Sequence, residues 1–193
     1  MNPILMDIKT SIETERLKLR IPLPGDGGVV NEAIEGSIEE LKPWLGFARE
    51  LPSPEDTEVN TRQAHAKFLS RESLRYLVFL KETNEFVGST GFHNIHWEVP
   101  KLEIGYWIDT RYSGKGYMTE AVDALTEFAF VELQCARVEI RCESENYKSR
   151  AIPEKLGFDL EGVLRNEDLS VDGKRLTDTC VFAKVKPRDV KEL

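Results

Sequence analysis

The chain has 193 residues, 31% charged and 40% hydrophobic, a balance that suits a folded globular protein and excludes a disordered chain of low hydrophobicity. Its 26 Lys and Arg against 34 Asp and Glu leave a formal net charge of −8, so no basic excess exists to replace the counterions of a nucleic acid. No run approaches the ~20 apolar residues of a bilayer span, and "MNPILMDIKT" lacks the basic and apolar regions of a signal peptide, so a cytoplasmic protein is expected.

The first element is "ERLKLRIP", where Leu17, Leu19 and Ile21 alternate with charged neighbours as in a half-buried strand, ended by Pro22 and Pro24. "GDGGVVNEAIEGSIEELKPWLGF" reads as two short helices around Gly36, with Ser37 as N-cap of the second and Pro43-Trp44 closing it. "LPSPEDTEVNTRQAHAKFLSRES" opens on proline punctuation and continues as a mostly polar helix. Two strands then follow in "LRYLVFLKETNEFVGSTGF", joined across Thr83-Asn84-Glu85, and a third in "KLEIGYWID".

After "RYSGKGYMTEA", the apolar positions Met118, Ala121, Val122, Leu125, Phe128, Ala129 and Leu133 recur at steps of three and four, which predicts a helix of about five turns. "ARVEIRCE" returns to alternation, with Val138, Ile140 and Cys142 on one face. "NYKSRAIPEKLGF" is a short helix capped by Asn146 and ended by Gly157 in the left-handed conformation. "DLEGVLRNEDLSV" and "RLTDTCVFAKV" are strands about an Asp172-Gly173 turn. No internal repeat or domain boundary interrupts this order, so residues 1–193 are expected to form one domain with a core of roughly 10–187.

Cys135, Cys142 and Cys180 are odd in number, lack a CxxC spacing and sit in apolar surroundings, which predicts free buried thiols. His93 and His96 lack a third ligand at a suitable spacing, so no metal site is expected, and His65 stands apart from both.

The stretch "RYSGKGYMTEA" places two glycines and two cations where a strand hands over to a helix, a corner at which unpaired backbone N–H groups meet the positive end of a helix dipole. A Walker loop would need Ser or Thr after Lys115, where Gly116 stands; a dinucleotide fingerprint would need a third glycine where Thr119 stands.

The remaining pattern, Arg-x-x-Gly-x-Gly after "LEIGYWIDT", resembles the acetyl-CoA loop of the GNAT N-acetyltransferase superfamily. Together with "ARVEIRCESENYKSRAIPEKLGF", "ETERLKLR" and "LKPWL", it resembles the RimJ/RimL subgroup, which acetylates protein N-termini. The resemblance implies an α+β acyl-CoA N-acyltransferase fold: a mixed, mostly antiparallel central sheet of six to seven strands, splayed at two central strands and flanked by helices. It implies acetyl-CoA as co-substrate, with the pyrophosphate held by Arg111, Ser113, Gly114, Lys115, Gly116, Tyr117 and Met118 through N–H groups from Ser113 to Met118. Pantetheine would lie between Trp107, Ile108 and Asp109 on one side and the strand from Arg137 to Glu143 on the other, with the Ile108 region supplying an oxyanion donor.

Many family members protonate the departing thiolate from a Tyr at the position of Pro153, which has no proton to give. In the RimJ/RimL subgroup a serine one turn earlier takes that role, and Ser149 matches it, with Tyr147 as the alternative donor and Asn146 as helix cap and cofactor ligand. Pro153 also lacks the N–H that would bond the Ser149 carbonyl four residues back. The subgroup's base, nineteen residues beyond that serine, falls on Asp168, with Glu167 and Glu103 as alternatives. The "PWL" segment implies that Trp44 contacts the acceptor, and His93 is a group on the substrate rim.

At pH 7, deprotonation costs about 1.4 kcal/mol for an α-amine of pKa ~8 and about 4.6 kcal/mol for a lysine of pKa ~10.4, which favours a peptide N-terminus or a low-pKa small amine. No cysteine lies in either motif, so direct transfer is expected rather than a covalent enzyme intermediate. The expected partners are acetyl-CoA and an amine acceptor, with a homodimer left open and neither nucleic acid nor membrane involved. A polyamine or aminoglycoside-like acceptor, or a non-catalytic acyl-CoA-binding module, are the alternative readings.

Overall fold

A computed structural model describes residues 2–186; residue 187, the last of the expected core, lies outside them. The strands are β1 (Ser11–Glu13), β2 (Leu17–Arg20), β3 (Leu74–Leu80), β4 (Phe86–His96), β5 (Lys101–Ile108), β6 (Arg137–Glu143), β7 (Asp159–Leu169) and β8 (Leu176–Val185). The helices are α1 (Gly27–Gly36), α2 (Ile38–Leu41), α3 (Pro54–Ser70), α4 (Tyr117–Val131) and α5 (Tyr147–Lys155).

The strands form one eight-stranded sheet in the order β1-β2-β3-β4-β5-β6-β8-β7. All neighbours run antiparallel except β5 and β6, which α4 joins as a crossover. The strand beyond the expected seven is β1, three residues long and so too short to show alternation; it pairs Ile12 with Leu19 on β2.

One face of the sheet packs on α4, whose Ala121, Val122, Leu125 and Ala129 have no exposed surface, against Leu102, Ile104, Val138, Ile140 and Phe182. Burying a side chain of the Val, Leu or Phe kind contributes about 1.5–3 kcal/mol, so this layer supplies much of the stability. On the other face α1 sets Val30, Ala33 and Ile34 on Leu77, Phe79 and Phe86. Helix α4 is one turn shorter than its apolar spacing predicts, and Leu133 is buried just beyond it, where Gln134 takes a left-handed conformation (φ 53°). All three cysteines are free and buried. Among the described residues no helix is long and apolar enough to cross a membrane.

Ser37 stands at the N-cap position of α2 but makes no capping bond. Its hydroxyl instead accepts the Thr110 N–H at 2.9 Å and so ties the α1–α2 corner to the end of β5.

Candidate active site

The glycine loop is anchored at its root. Asp109 is fully buried; its N–H donates to the Val87 carbonyl at 2.8 Å, and its carboxylate accepts the Arg111 N–H at 2.9 Å and the Arg111 Nη2 at 2.6 Å. Beyond it Gly114 (φ 74°) and Gly116 (φ 80°) turn the chain into α4 through conformations that only glycine adopts without cost. The N–H groups of Gly114 through Thr119 have no protein acceptor among the described residues. With the dipole of the 15-residue α4 behind them, they form a cradle that fits a diphosphate.

Two expectations shift here. The free amides begin at Gly114, because the Ser113 N–H donates to the Thr110 carbonyl at 3.1 Å. Arg111 is held by Asp109, which leaves Lys115 as the loop cation without a carboxylate partner among the described residues; it stands 5.2 Å from the Tyr112 ring centre. Arg16 reaches the loop from the β1–β2 turn, donating to the Lys115 carbonyl at 3.1 Å, while Glu120 on α4 grips Arg16 Nε at 2.6 Å.

Strands β5 and β6 part company beside this cradle. Their pairing ends at Glu103 opposite Glu139, whereas β6 stays zipped to β8 as far as Glu143 opposite Thr179. Because the Asp109 N–H points to β4, strand alternation directs the amides of Ile108 and Tyr106 to the opposite edge, into the gap. An extended pantetheine chain can add to such an edge as a strand would. Trp107 points away from α4, its ring 5.7 Å from Phe86 and 6.0 Å from Phe47.

Ser149 sits in the first turn of α5, its N–H accepted by Asn146 Oδ1 at 3.1 Å in the capping bond. Pro153 cannot donate to the Ser149 carbonyl, and the hydroxyl of Tyr106 does so instead at 2.8 Å, reaching from β5 across the gap. The Ser149 hydroxyl in turn donates to the Tyr106 oxygen at 3.3 Å. Burial raises the Tyr106 pKa well above the ordinary tyrosine value, so it stays protonated and keeps both bonds. Burial also pushes the nearby Cys142 thiol up to about 11, which removes it as a nucleophile at neutral pH. Tyr147, the alternative donor, is 71% exposed on the outer side of the helix.

On the sheet face away from α4, a cavity of about 500 Å³ opens between α1, α3 and strands β3 to β5, with Phe47, Trp107 and His93 among its walls. His93 Nε2 lies 3.2 Å from Glu103 Oε1, and Asn94 Nδ2 donates to Glu103 Oε2 at 2.9 Å. Burial works against ionising Glu103, but these two hydrogen bonds and the Arg141 charge outweigh it and hold its pKa below the usual carboxylate range. Glu103 and His93 therefore form one group at the fork of the sheet, with His93 facing the cavity.

The other acidic candidates stand apart. Glu167 pairs with Arg141 at 2.5 Å and accepts from Thr179 Oγ1 at 2.9 Å. Asp168 is exposed on β7, its carboxylate accepting the Leu169 N–H at 2.8 Å, and it touches neither Ser149 nor Glu103; an irregularity between Leu164 and Asp168 resets the register that residue counting assumed. The "PWL" loop lines the cavity with Leu45 and Phe47, not with the half-buried Trp44. Among the described residues no three His, Cys, Asp or Glu side chains gather to hold a metal.

Tyr106 and Arg16 are the site residues that sequence reasoning missed. A signal for Tyr106 existed: Pro153 orphans the Ser149 carbonyl, and a carbonyl shielded even in part from water calls for a donor. Nothing local to Arg16 announces its bond to a carbonyl 99 positions away.

Comparison with known proteins agrees with this geometry. A family profile described as "Acetyltransferase (GNAT) domain" matches residues 16–159. YdaF of Bacillus subtilis (strain 168), provisionally named a ribosomal N-acetyltransferase, is 36% identical over 164 residues, 82% of this chain and 86% of that protein. The ribosomal-protein-serine acetyltransferase of Escherichia coli (strain K12) is 27% identical over 147 residues, 75% of this chain and 80% of its own. The structure of RimL, the ribosomal L7/L12 alpha-N-protein acetyltransferase, in complex with coenzyme A superposes with a TM-score of 0.84 at 22% identity, covering 91% of this chain and 97% of the other.

Proposed function

The chain belongs to the acetyltransferase (GNAT) family, in its RimJ/RimL-like branch, and from that premise we propose that its acceptor is the α-amine of a protein N-terminus. As a family member it is an acetyl-CoA-dependent N-acetyltransferase. The names of the Bacillus subtilis and Escherichia coli relatives support a ribosomal protein as the acetylated partner. The observation that carries the reading is the gap between β5 and β6, which has the amide cradle at one end, Ser149 on one flank and the cavity with His93 on the other.

Acetyl-CoA supplies an activated thioester, and the chain's own groups handle protons and charge around it. The Gly114 to Thr119 amides and Lys115 hold the diphosphate, and the Ile108 N–H in the gap is available to the oxyanion. His93, oriented by Glu103, takes the proton of the entering amine, directly or through one water. As the carbon–nitrogen bond forms and the carbon–sulfur bond breaks, the Ser149 hydroxyl, positioned at the gap by Tyr106, turns its proton from the Tyr106 oxygen to the leaving sulfur, and solvent returns a proton to Ser149 as His93 releases the one taken from the amine. The three free thiols are buried, which supports direct transfer without a covalent enzyme intermediate.

The test is thiol release from acetyl-CoA with a panel of N-terminal peptides, polyamines and aminoglycosides, the product being located by mass spectrometry. Acetylation of peptide α-amines, with Ser149→Ala slowing turnover while coenzyme A still binds, supports the reading. Product on the small amines alone moves the acceptor to that class, and coenzyme A binding without any product leaves a binding module.

A further inference from the structure

The acceptor cavity holds a cation that no carboxylate matches. Arg75 on β3 is half-buried and lines the cavity, and its one side-chain partner is Asn60 Oδ1, which accepts from Nη1 at 2.6 Å. Among the described residues no Asp or Glu oxygen lies within salt-bridge distance of it. The half-buried Arg20 on β2 shows the alternative, since Asp26 receives both its terminal nitrogens at 2.6 and 2.7 Å. Asp56, the acid on the cavity rim, is exposed and already bonded by the Ser53 hydroxyl at 2.6 Å.

The sheet register puts this cation in line with His93 and the reaction gap. Arg75 pairs with Gly91, and Gly91 with Gly105, so the three form one row across β3, β4 and β5 and face the cavity. Gly91 cannot gain a side chain, because a Cβ there would lie 2.4 Å from the Leu74 carbonyl oxygen; at Gly105 a Cβ would strike the His93 ring at 2.9 Å. The floor between Arg75 and the gap is therefore the bare backbone of Gly91 and then the His93 ring lying over Gly105, two strand spacings or about 10 Å across. Burial lowers the pKa of Arg75, the mark of a charge that solvent compensates poorly.

We propose that Arg75 anchors a carboxylate on the acceptor, so that the enzyme selects amines carrying an acidic group about 10 Å from the reacting nitrogen, as Asp or Glu at the second or third residue of a peptide does. This rests on the acetyl-transfer reading for the place of the amine, but not for the anchor. A guanidinium that keeps Asn60 on one nitrogen still has four N–H donors for a two-oxygen acceptor.

The experiment compares kcat/KM for the peptides Ser-X-Gly-Gly and Ser-Gly-X-Gly, with X as Glu, Gln or Lys. The expected result is a preference for Glu over Gln of about tenfold or more at one of the two positions, with Lys poorest. Arg75→Gln compresses that ratio to within about twofold and Arg75→Lys keeps part of it, since a point charge replaces the fork. The N-acetylated forms of the same peptides, titrated calorimetrically into protein loaded with coenzyme A, read the same preference without turnover. An enzyme that acetylates Glu and Gln peptides alike, or an Arg75→Gln variant that keeps the preference, overturns the anchor and leaves acetyl transfer standing. A protein that binds the Glu peptides through Arg75 yet makes no product supports the anchor and sinks acetyl transfer.

Discussion

Replacing Tyr106 by Phe removes one oxygen and nothing else, and two hydrogen bonds go with it. The Ser149 carbonyl loses its donor at 2.8 Å, and Pro153 cannot replace it. Ser149 is half-buried, so its unpartnered carbonyl costs toward the lower end of the about 1–3 kcal/mol of a buried acceptor, and for a domain of this length each kcal/mol lowers the melting temperature by about 2–4 °C. In a Pro153→Ala background the restored N–H at position 153 reaches that carbonyl by the ordinary helical bond, so the same Tyr106→Phe change should cost about 1 kcal/mol less. The assay is urea unfolding of the wild type, both single variants and the double variant; the volume lost at position 153 cancels in the cycle. Equal costs of Tyr106→Phe in the two backgrounds, within about 0.5 kcal/mol, would refute the claim that this hydroxyl satisfies the proline-orphaned carbonyl. Turnover supplies a second reading. The Ser149 hydroxyl loses the acceptor at 3.3 Å that orients it, so kcat should fall by about three- to tenfold with the KM for acetyl-CoA little changed.

Two further outcomes are expected. Gly116→Glu forces a side chain into a left-handed position (φ 80°) and sets an anion at the diphosphate cradle, so coenzyme A should no longer shift the melting temperature; a retained shift would put the diphosphate elsewhere. Glu103 has a folded-state pKa below its ordinary ~4.3, so its contribution to stability is present above that value and drains away as pH falls through the lowered one. The stability advantage of the wild type over Glu103→Gln should therefore shrink on acidification below about pH 4, and a gap that stays constant from pH 7 to pH 3 would contradict the His93 and Asn94 bonds as its source.

The two halves of the active site differ in how far they could be read in advance. The cradle is a local object: two glycines, the strand before them and the apolar stripe after them lie within one stretch of chain, and only the Ser113 amide and the Arg111 side chain behave otherwise than expected. Asn146 caps α5 and Gly157 ends it in the left-handed conformation (φ 71°), again because each acts on neighbours a few residues away. The groups proposed to handle protons are different. Counting forward from Ser149 to Asp168 assumes an unbroken strand register, and the irregularity in β7 defeats it.

Sequence periodicity and turn chemistry by themselves determined the order of the helices and of every strand but the short β1, the glycine corner between strand and helix, the free thiols and the proline-broken turn at Ser149, since each depends on contacts within about one or two turns of chain. Only the tertiary structure decided that Tyr106 meets Ser149 across 43 positions, that His93 rather than Asp168 shares the fork with Glu103, and that Arg75 stands in line with Gly91, His93 and the gap. Those pairings arise from sheet register and from where β5 and β6 separate. Register follows from the burial of a whole face at once, which no short window of residues contains.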